Sequence, residues 1–204
     1  MTTVDFFSIV KDIFLSGAAA ITAYAAYKGI EKWRSEIEGK ADFEVARSFI
    51  RSVYKLRNSI ETCRSPFVSA GEFPEGYRGG LGGHSDKEKG DAWLYVYNNR
   101  WEPVFEAIQE FDGATIEAEA LWGGKVKERA QLLRQLAARL RVSIDTYLRN
   151  EYSGNQDFED RDLGTKIRAD LNASGLEVDT LSPAITRAIE DIESIIRPHL
   201  RKIN

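Results

Sequence analysis

The chain has 204 residues and a mass of 23.0 kDa, is 43% hydrophobic and 29% charged, and carries a net charge of -4 with a pI near 5.4. That length accommodates one ordinary hydrophobic core plus an appendage and argues against a two-domain enzyme with a deep cleft. The mildly acidic balance excludes the overall basic field that drives general nucleic-acid binding. Cys63 is the only cysteine and His84 and His199 the only histidines, which excludes an intramolecular disulfide and a cysteine-based zinc site and fits a reducing compartment.

The first element is apolar. Ile13 to Tyr27 is a run of fifteen residues without a formal charge. As a helix it covers roughly 22 Å, short of the ~30 Å hydrocarbon core of a bilayer. Val4, Phe6, Phe7, Ile9 and Val10 extend it toward the N-terminus across Lys11 and Asp12, and Tyr24, Tyr27 and Trp33 supply interfacial aromatics at the other end. The expectation is a transmembrane anchor helix within residues 1–39. A cleaved signal peptide is disfavoured by the missing basic n-region. The remaining alternative is a helix buried in a soluble bundle or against a partner, which the alanine-rich composition favours. Lys28, Lys32, Arg34 and Lys40 follow the run whereas only Lys11 precedes it, so the positive-inside rule places the N-terminus outside and the rest of the chain in the cytoplasm.

One face of this helix is uneven. Asp5, Ser8, Asp12 and Ser16 recur at helical spacing and lead into Ala19, Ala20 and Ala23. Small residues four apart let helix backbones approach closely, so Asp12, Ser16, Ala19, Ala20 and Ala23 are candidates for self-association of the anchor, with a pore lined by Asp12 or Lys11 as the sharper version.

Residues 40–204 read as a helical bundle. Phe43, Ala46, Ile50, Val53, Leu56, Ile60 and Cys63 keep helical spacing, which predicts a long amphipathic helix continuing from the anchor after a break near Gly39. Its flank carries Arg47, Arg51 and Lys55 at steps of four, with Arg57 and Arg64 nearby. Such a flank either pairs with carboxylates on a neighbouring helix or holds an anionic ligand. Arg64 to Gly90 is one long irregular segment with seven glycines between Gly71 and Gly90, and it contains Arg78. Its Gly79–His84 stretch lacks the lysine and hydroxyl of a phosphate-binding P-loop. The candidate anionic-ligand residues are therefore Arg47, Arg51, Lys55, Arg64 and Arg78.

A second helix is predicted over Asp91–Trp122, aromatic on its apolar face, with Pro103 and Gly113 as weak points and Gly123-Gly124 as its stop. Glu102, Glu106 and Glu110 form an acidic stripe complementary to Arg47, Arg51 and Lys55. A third helix is predicted over Lys125–Tyr152, a shorter one over Asp162–Leu171, and a last one opening at Ser182-Pro183 and running to Pro198. No segment has strand periodicity. The fold class is thus all-α: an N-terminal transmembrane helix followed by a cytoplasmic antiparallel helical bundle with one long Gly-rich loop.

Arg100-Trp101-Glu102-Pro103-Val104 and Glu117-Ala118-Glu119-Ala120-Leu121-Trp122-Gly123, together with Lys28-Gly29-Ile30-Glu31-Lys32-Trp33, Glu44-Val45-Ala46-Arg47 and Arg64-Ser65-Pro66-Phe67, are similar to a group of uncharacterised bacterial proteins with an N-terminal anchor and a helical cytoplasmic body. The resemblance spans most of the chain. It implies that layout, which with the positive-inside reading gives a single-pass location in a bacterial inner membrane, and transfers no catalytic residue, because the group has no assigned activity.

Catalytic patterns are missing. Neither histidine follows a glutamate by three, as a di-iron bundle requires, and Gly-x-Ser-x-Gly and His-Glu-x-x-His are absent. Carboxylate-only magnesium chemistry through Glu102, Glu106, Glu117 and Glu119 is the one enzymatic alternative. No cofactor and no metal is expected. The leading expectation is a membrane-anchored, homo-oligomeric, non-enzymatic sensor or interaction protein. Its partners would be the membrane and a protein or small anionic ligand, and a concrete example would be an antiviral-defence effector acting on the inner membrane. The alternative is a subunit of a larger complex whose first helix packs on a partner.

Overall fold

The computed structural model describes residues 3–77, 83–154, 156–158, 160–174 and 178–200, with the side chains of 3–10, 12, 13 and 157 outside that description. Among these residues the chain is all-helical: α1 (Thr3–Cys63), α2 (Asp86–Trp122), α3 (Gly124–Tyr152), α4 (Arg161–Leu171) and α5 (Leu181–Leu200), with 3-10 turns at Ala70–Glu72 and Gln156–Phe158.

Four helices close a ring: α1 packs on α2 and α5, α3 packs on the same two, and α4 lies against α3. Polar ties fix the directions. Trp122 and His199, at the C-terminal ends of α2 and α5, both reach Asp42 near the middle of α1. Arg100 of α2 and Ser182 of α5 instead meet Cys63 and Arg64 at the end of α1. Ring neighbours are therefore antiparallel, the up-down-up-down arrangement that short α2–α3 connections favour.

The core follows the 3.6-residue period. Ala46, Phe49, Val53, Leu56 and Ile60 of α1 meet Val104, Ala107, Phe111 and Ala118 of α2, Leu133, Ala137, Leu140 and Ile144 of α3, and Ile185, Ile189, Ile192 and Ile196 of α5. Phe49 and Phe111 stack with centroids 5.8 Å apart at the centre.

Several expected boundaries move. α1 runs through Gly39 without a break, because one glycine costs a helix only ~1 kcal/mol and strong helix formers surround it. α2 likewise runs through Pro103 and Gly113. Pro103 is exposed, so the carbonyl it leaves unbonded one turn earlier has water within reach. α2 also starts before Asp91: Ser85 caps it, the Glu88 N–H donating to Ser85 Oγ at 3.3 Å and the Ser85 N–H donating to Glu88 Oε2 at 2.7 Å. Gly123 ends α2 as expected, with φ +82° and its N–H donating to the Glu119 carbonyl at 2.8 Å. At α5 the N-terminal acceptor is Asp179, which takes the Ser182 N–H at 3.0 Å.

Among the described residues no helix is long and apolar enough to cross a membrane, so the expected transmembrane helix is unsupported over them. The apolar extension from Val4 to Val10 falls among side chains outside the described set.

Candidate functional site

α1 has two halves with different surroundings. Its C-terminal half buries Ala46, Phe49, Val53, Leu56 and Ile60 in the bundle, whereas its N-terminal half passes beyond the ends of α2 and α5, and the described side chains from Phe14 to Glu38 are all exposed. From Thr3 to Gly39 this projection measures roughly 55 Å at 1.5 Å per residue. Phe14, Leu15, Ile21, Tyr24, Tyr27, Ile30, Trp33 and Ile37 are all exposed on it, Phe14 to 75% and Trp33 to 64%. Among the described residues the polar contacts along this stretch stay within the helix: Thr22 donates to the Ala18 carbonyl, and Arg34–Glu38 and Lys40–Glu36 pair one turn apart. Ser16, Ala19, Ala20 and Ala23 are exposed too, and the side chain of Asp12 lies outside the described residues.

The projection leaves the bundle at a clasp. Asp42 accepts the Trp122 indole N–H at 2.5 Å, and His199 Nδ1 lies 2.9 Å from both Asp42 oxygens. Trp122 and His199 stack at 4.1 Å and 20°. Three helix segments, from α1, α2 and α5, are thus tied together where the free half of α1 begins.

On the outer face of α1 lies an open groove of about 700 Å³ lined by Arg47, Arg51, Asn58, Ser59, Thr62 and Pro103, among others. Lys55 bonds Glu110 of α2 at 2.5 Å on one side, and the Tyr54 hydroxyl donates to Glu193 of α5 at 2.8 Å on the other. The expected ladder of basic and acidic stripes is therefore realised at one rung. Among the described residues Arg47 and Arg51 have no ion-pair partner, and Glu102 and Glu106 stay exposed. Two guanidinium groups one turn apart beside hydroxyls and an amide are chemically suited to a carboxylate or phosphate, in a setting open enough for salt to screen.

No family model, curated protein or solved structure matches the chain.

The other candidate residues separate. Arg64 is 1% exposed and is consumed inside the bundle. It donates from Nε to the Asp170 carbonyl at 2.6 Å, from Nη1 to Ser182 Oγ at 2.7 Å, and from Nη2 to Asp179 Oδ1 at 2.7 Å and the Ala169 carbonyl at 3.1 Å. It satisfies the last carbonyls of α4 and joins that end to the start of α5, so it has no donor to offer a ligand in the Arg47 groove. Arg78 lies outside the described residues. His84 stacks on Tyr77 at 4.6 Å, and Tyr77 on Phe73 at 5.1 Å, which places it in an aromatic row over the bundle.

Glu106 and Glu117 are eleven residues apart on one helix, roughly 16 Å, so the four glutamates of the magnesium alternative do not share an ion. Glu119 pairs with Lys127 at 3.2 Å, and among the described residues no three acidic, histidine or cysteine side chains converge as a metal site. Burial pushes the Cys63 thiol up to about 11, which keeps it unreactive.

Two polar centres escaped the sequence reading. Arg100 donates to Glu72 Oε2 at 2.6 Å and to the Ser65 and Phe67 carbonyls at 2.8 and 2.6 Å, folding the start of the long loop onto α2. Its bond holds the Glu72 carboxyl below the usual range despite partial burial. Buried Asp170 accepts Arg139 at 2.9 and 2.6 Å and the Ser143 hydroxyl at 2.9 Å. The outward register of Arg139 hid this pair, since the partner sits 31 residues on, near the end of α4.

Proposed function

We propose that this protein is a membrane-tethered, non-enzymatic helical interaction protein whose bundle is held rigidly on the N-terminal half of α1. The observation that carries the reading is the continuity of α1: one helix contributes the central core residues and then presents eight large apolar side chains with no cover. The uncharged stretch Ile13–Tyr27 has no charged face to turn to water, which favours an apolar surrounding, and burying each of its large apolar side chains is worth about 1.5–3 kcal/mol. Lys28 and Lys32 then fall where an anionic headgroup layer would meet them, with Arg34 and Lys40 further along the same side, which supports a cytoplasmic bundle. The Arg47–Arg51 groove is the surface through which the bundle would meet an acidic protein segment or a small anion.

Flotation of the full chain with vesicles of mixed neutral and anionic lipid tests the tether. Co-flotation that survives carbonate and high salt is expected, and it should be lost when residues 1–27 are deleted. Protein that stays at the bottom of the gradient would refute the reading and leave the complex-subunit alternative, in which a partner protein covers the same face.

A further inference from the structure

The exposed half of α1 is not uniform around its circumference. Below Tyr27 it carries Lys28, Glu31, Lys32, Arg34, Glu36 and Glu38, so water is its medium there, yet Ile30, Trp33 and Ile37 remain exposed on one narrow stripe, Ile30 and Trp33 to 64% each. An a/d-only stripe of that width is the mark of a helix facing another helix, not of one lying on a broad core. The spacing continues upward without a phase change: Ala19, Ala23, Ala26, Ile30, Trp33 and Ile37 alternate steps of four and three. We infer that this stripe is a pairing seam, and that its occupant is the same stripe of a second, parallel copy of this chain. The inference rests on the membrane tether for the parallel direction, since copies inserted the same way point the same way.

Three features select a second copy. At about 100° per residue the seam is rotated by roughly 130° from the core face centred on Ala46, Phe49, Val53, Leu56 and Ile60, so the bundle of one copy does not obstruct the helix of the other. In a parallel, in-register pair the flanking positions set Thr22 against Tyr27, Gly29 against Arg34 and Glu36 against Ala41, so no like charges oppose each other across the seam. The same phase carried into the bundle reaches Lys40, Glu44, Arg47 and Arg51, each of which would repel its own copy, so the charge pattern both permits pairing to Ile37 and ends it there. Facing seams of this length bury on the order of 1,000 Å², the low end for a stable pair, and confinement to one membrane supplies the effective concentration that makes it sufficient. The seam also redraws the association stripe read from sequence: Ala19 and Ala23 belong to it, and Ala20 lies beside it.

Cysteine crosslinking of the full chain in membranes tests this, with the wild type as background because its single Cys63 is buried. Ile30→Cys and Ile37→Cys would each bring a thiol within disulfide reach of its own copy, whereas Lys32→Cys faces away. The expected result is a dimer band at least fivefold stronger for the first two than for Lys32→Cys. Equal crosslinking at all three, or none at Ile30 and Ile37, overturns the seam. Flotation of the same samples separates the two readings: crosslinked protein that does not float keeps the seam and removes the tether, and floating protein without crosslinks does the reverse. Adding Trp33→Ser and Ile37→Ser to Ile30→Cys should leave the melting of the bundle unchanged and weaken the dimer band in membranes at least fivefold, and an undiminished band would overturn the proposal.

Discussion

Replacing Arg64 by methionine tests how the far end of the bundle is held. The side chain is fully buried, and its four short contacts reach Asp179, Ser182 and the carbonyls of Ala169 and Asp170. Methionine fills similar volume, so the loss is electrostatic and hydrogen-bonded and does not create a large cavity. Removing one partner of a buried pair costs about 3–5 kcal/mol, because the remaining carboxylate loses its cation. The orphaned α4 carbonyls would add about 1–3 kcal/mol each if independent, but groups in one network do not add, so the expected total is about 4 kcal/mol. For a chain of this size that lowers Tm by roughly 8–16 °C. Urea titration of the detergent-solubilised full chain, followed by circular dichroism, measures it. Arg64→Met/Asp179→Leu, which removes both charges, should recover a large part of the loss. A single substitution within about 1 kcal/mol of wild type would refute the assignment of Arg64 as the link between α4 and α5.

The same network sets an acid limit. Burial pushes the Asp179 carboxyl up, but Ser182 and the Arg64 guanidinium outweigh it, and the group ends below its ordinary value. A folded value below the unfolded one means the stabilisation is present above about pH 4 and is lost as pH falls through the folded value, so Asp179→Asn should flatten that part of a stability-against-pH curve. At the clasp, Asp42→Ala removes the acceptor shared by Trp122 and His199. It should cost about 1–3 kcal/mol and accelerate amide exchange around residues 38–45, and unchanged exchange would detach the clasp from the neck. Two glycines of α2 predict opposite signs. A Cβ at Gly90 would lie 2.4 Å from the Tyr152 ring, so Gly90→Ala should destabilise by about 1–3 kcal/mol. Gly113 has open space around it, and Gly113→Ala should stabilise by about 0.4–1 kcal/mol in the same thermal melt.

The helices of the bundle were legible because their apolar residues recur at the helical period and their ends carry local signals. Gly123, the Leu133–Leu148 face and the isoleucines of α5 all fall where that period puts them. Phe49 was missed because Ile50 fits the same stripe, and only the neighbouring Phe111 decides which of the two points inward. The breaks at Gly39 and Pro103 were over-read for two different reasons: one glycine is a small local cost among strong helix formers, and Pro103, though costlier, lies in a helix whose residues on both sides of it pack into the core. The basic stripe of α1 could be read, but not its pairing, since that depends on how α2 is rotated. One rung, Lys55–Glu110, closes and the arginines above it face solvent. Arg64 looked like its neighbours by composition and spacing. Its burial comes from α4 and the start of α5, more than a hundred residues away, and no local pattern encodes that.

The unbroken passage of α1 through Gly39 gives the seam and the bundle a fixed angular relation, and that relation can be altered without touching either. Each residue inserted after Gly39 turns the bundle by about 100° relative to the seam. Two alanines turn it by roughly 200°, which swings the core face from about 130° away from the seam to nearly over it, so that the bundles of two paired copies would overlap. Seven alanines complete almost two turns and restore the original relation to within about 20°. The Ile30→Cys crosslink should therefore vanish with two inserted alanines and return with seven, while the melting of the bundle stays unchanged in both, because no core residue moves relative to another. Equal crosslinking in the two insertions would mean that the helix bends at Gly39, and that the projecting half and the bundle are joined by a swivel and not by a rod.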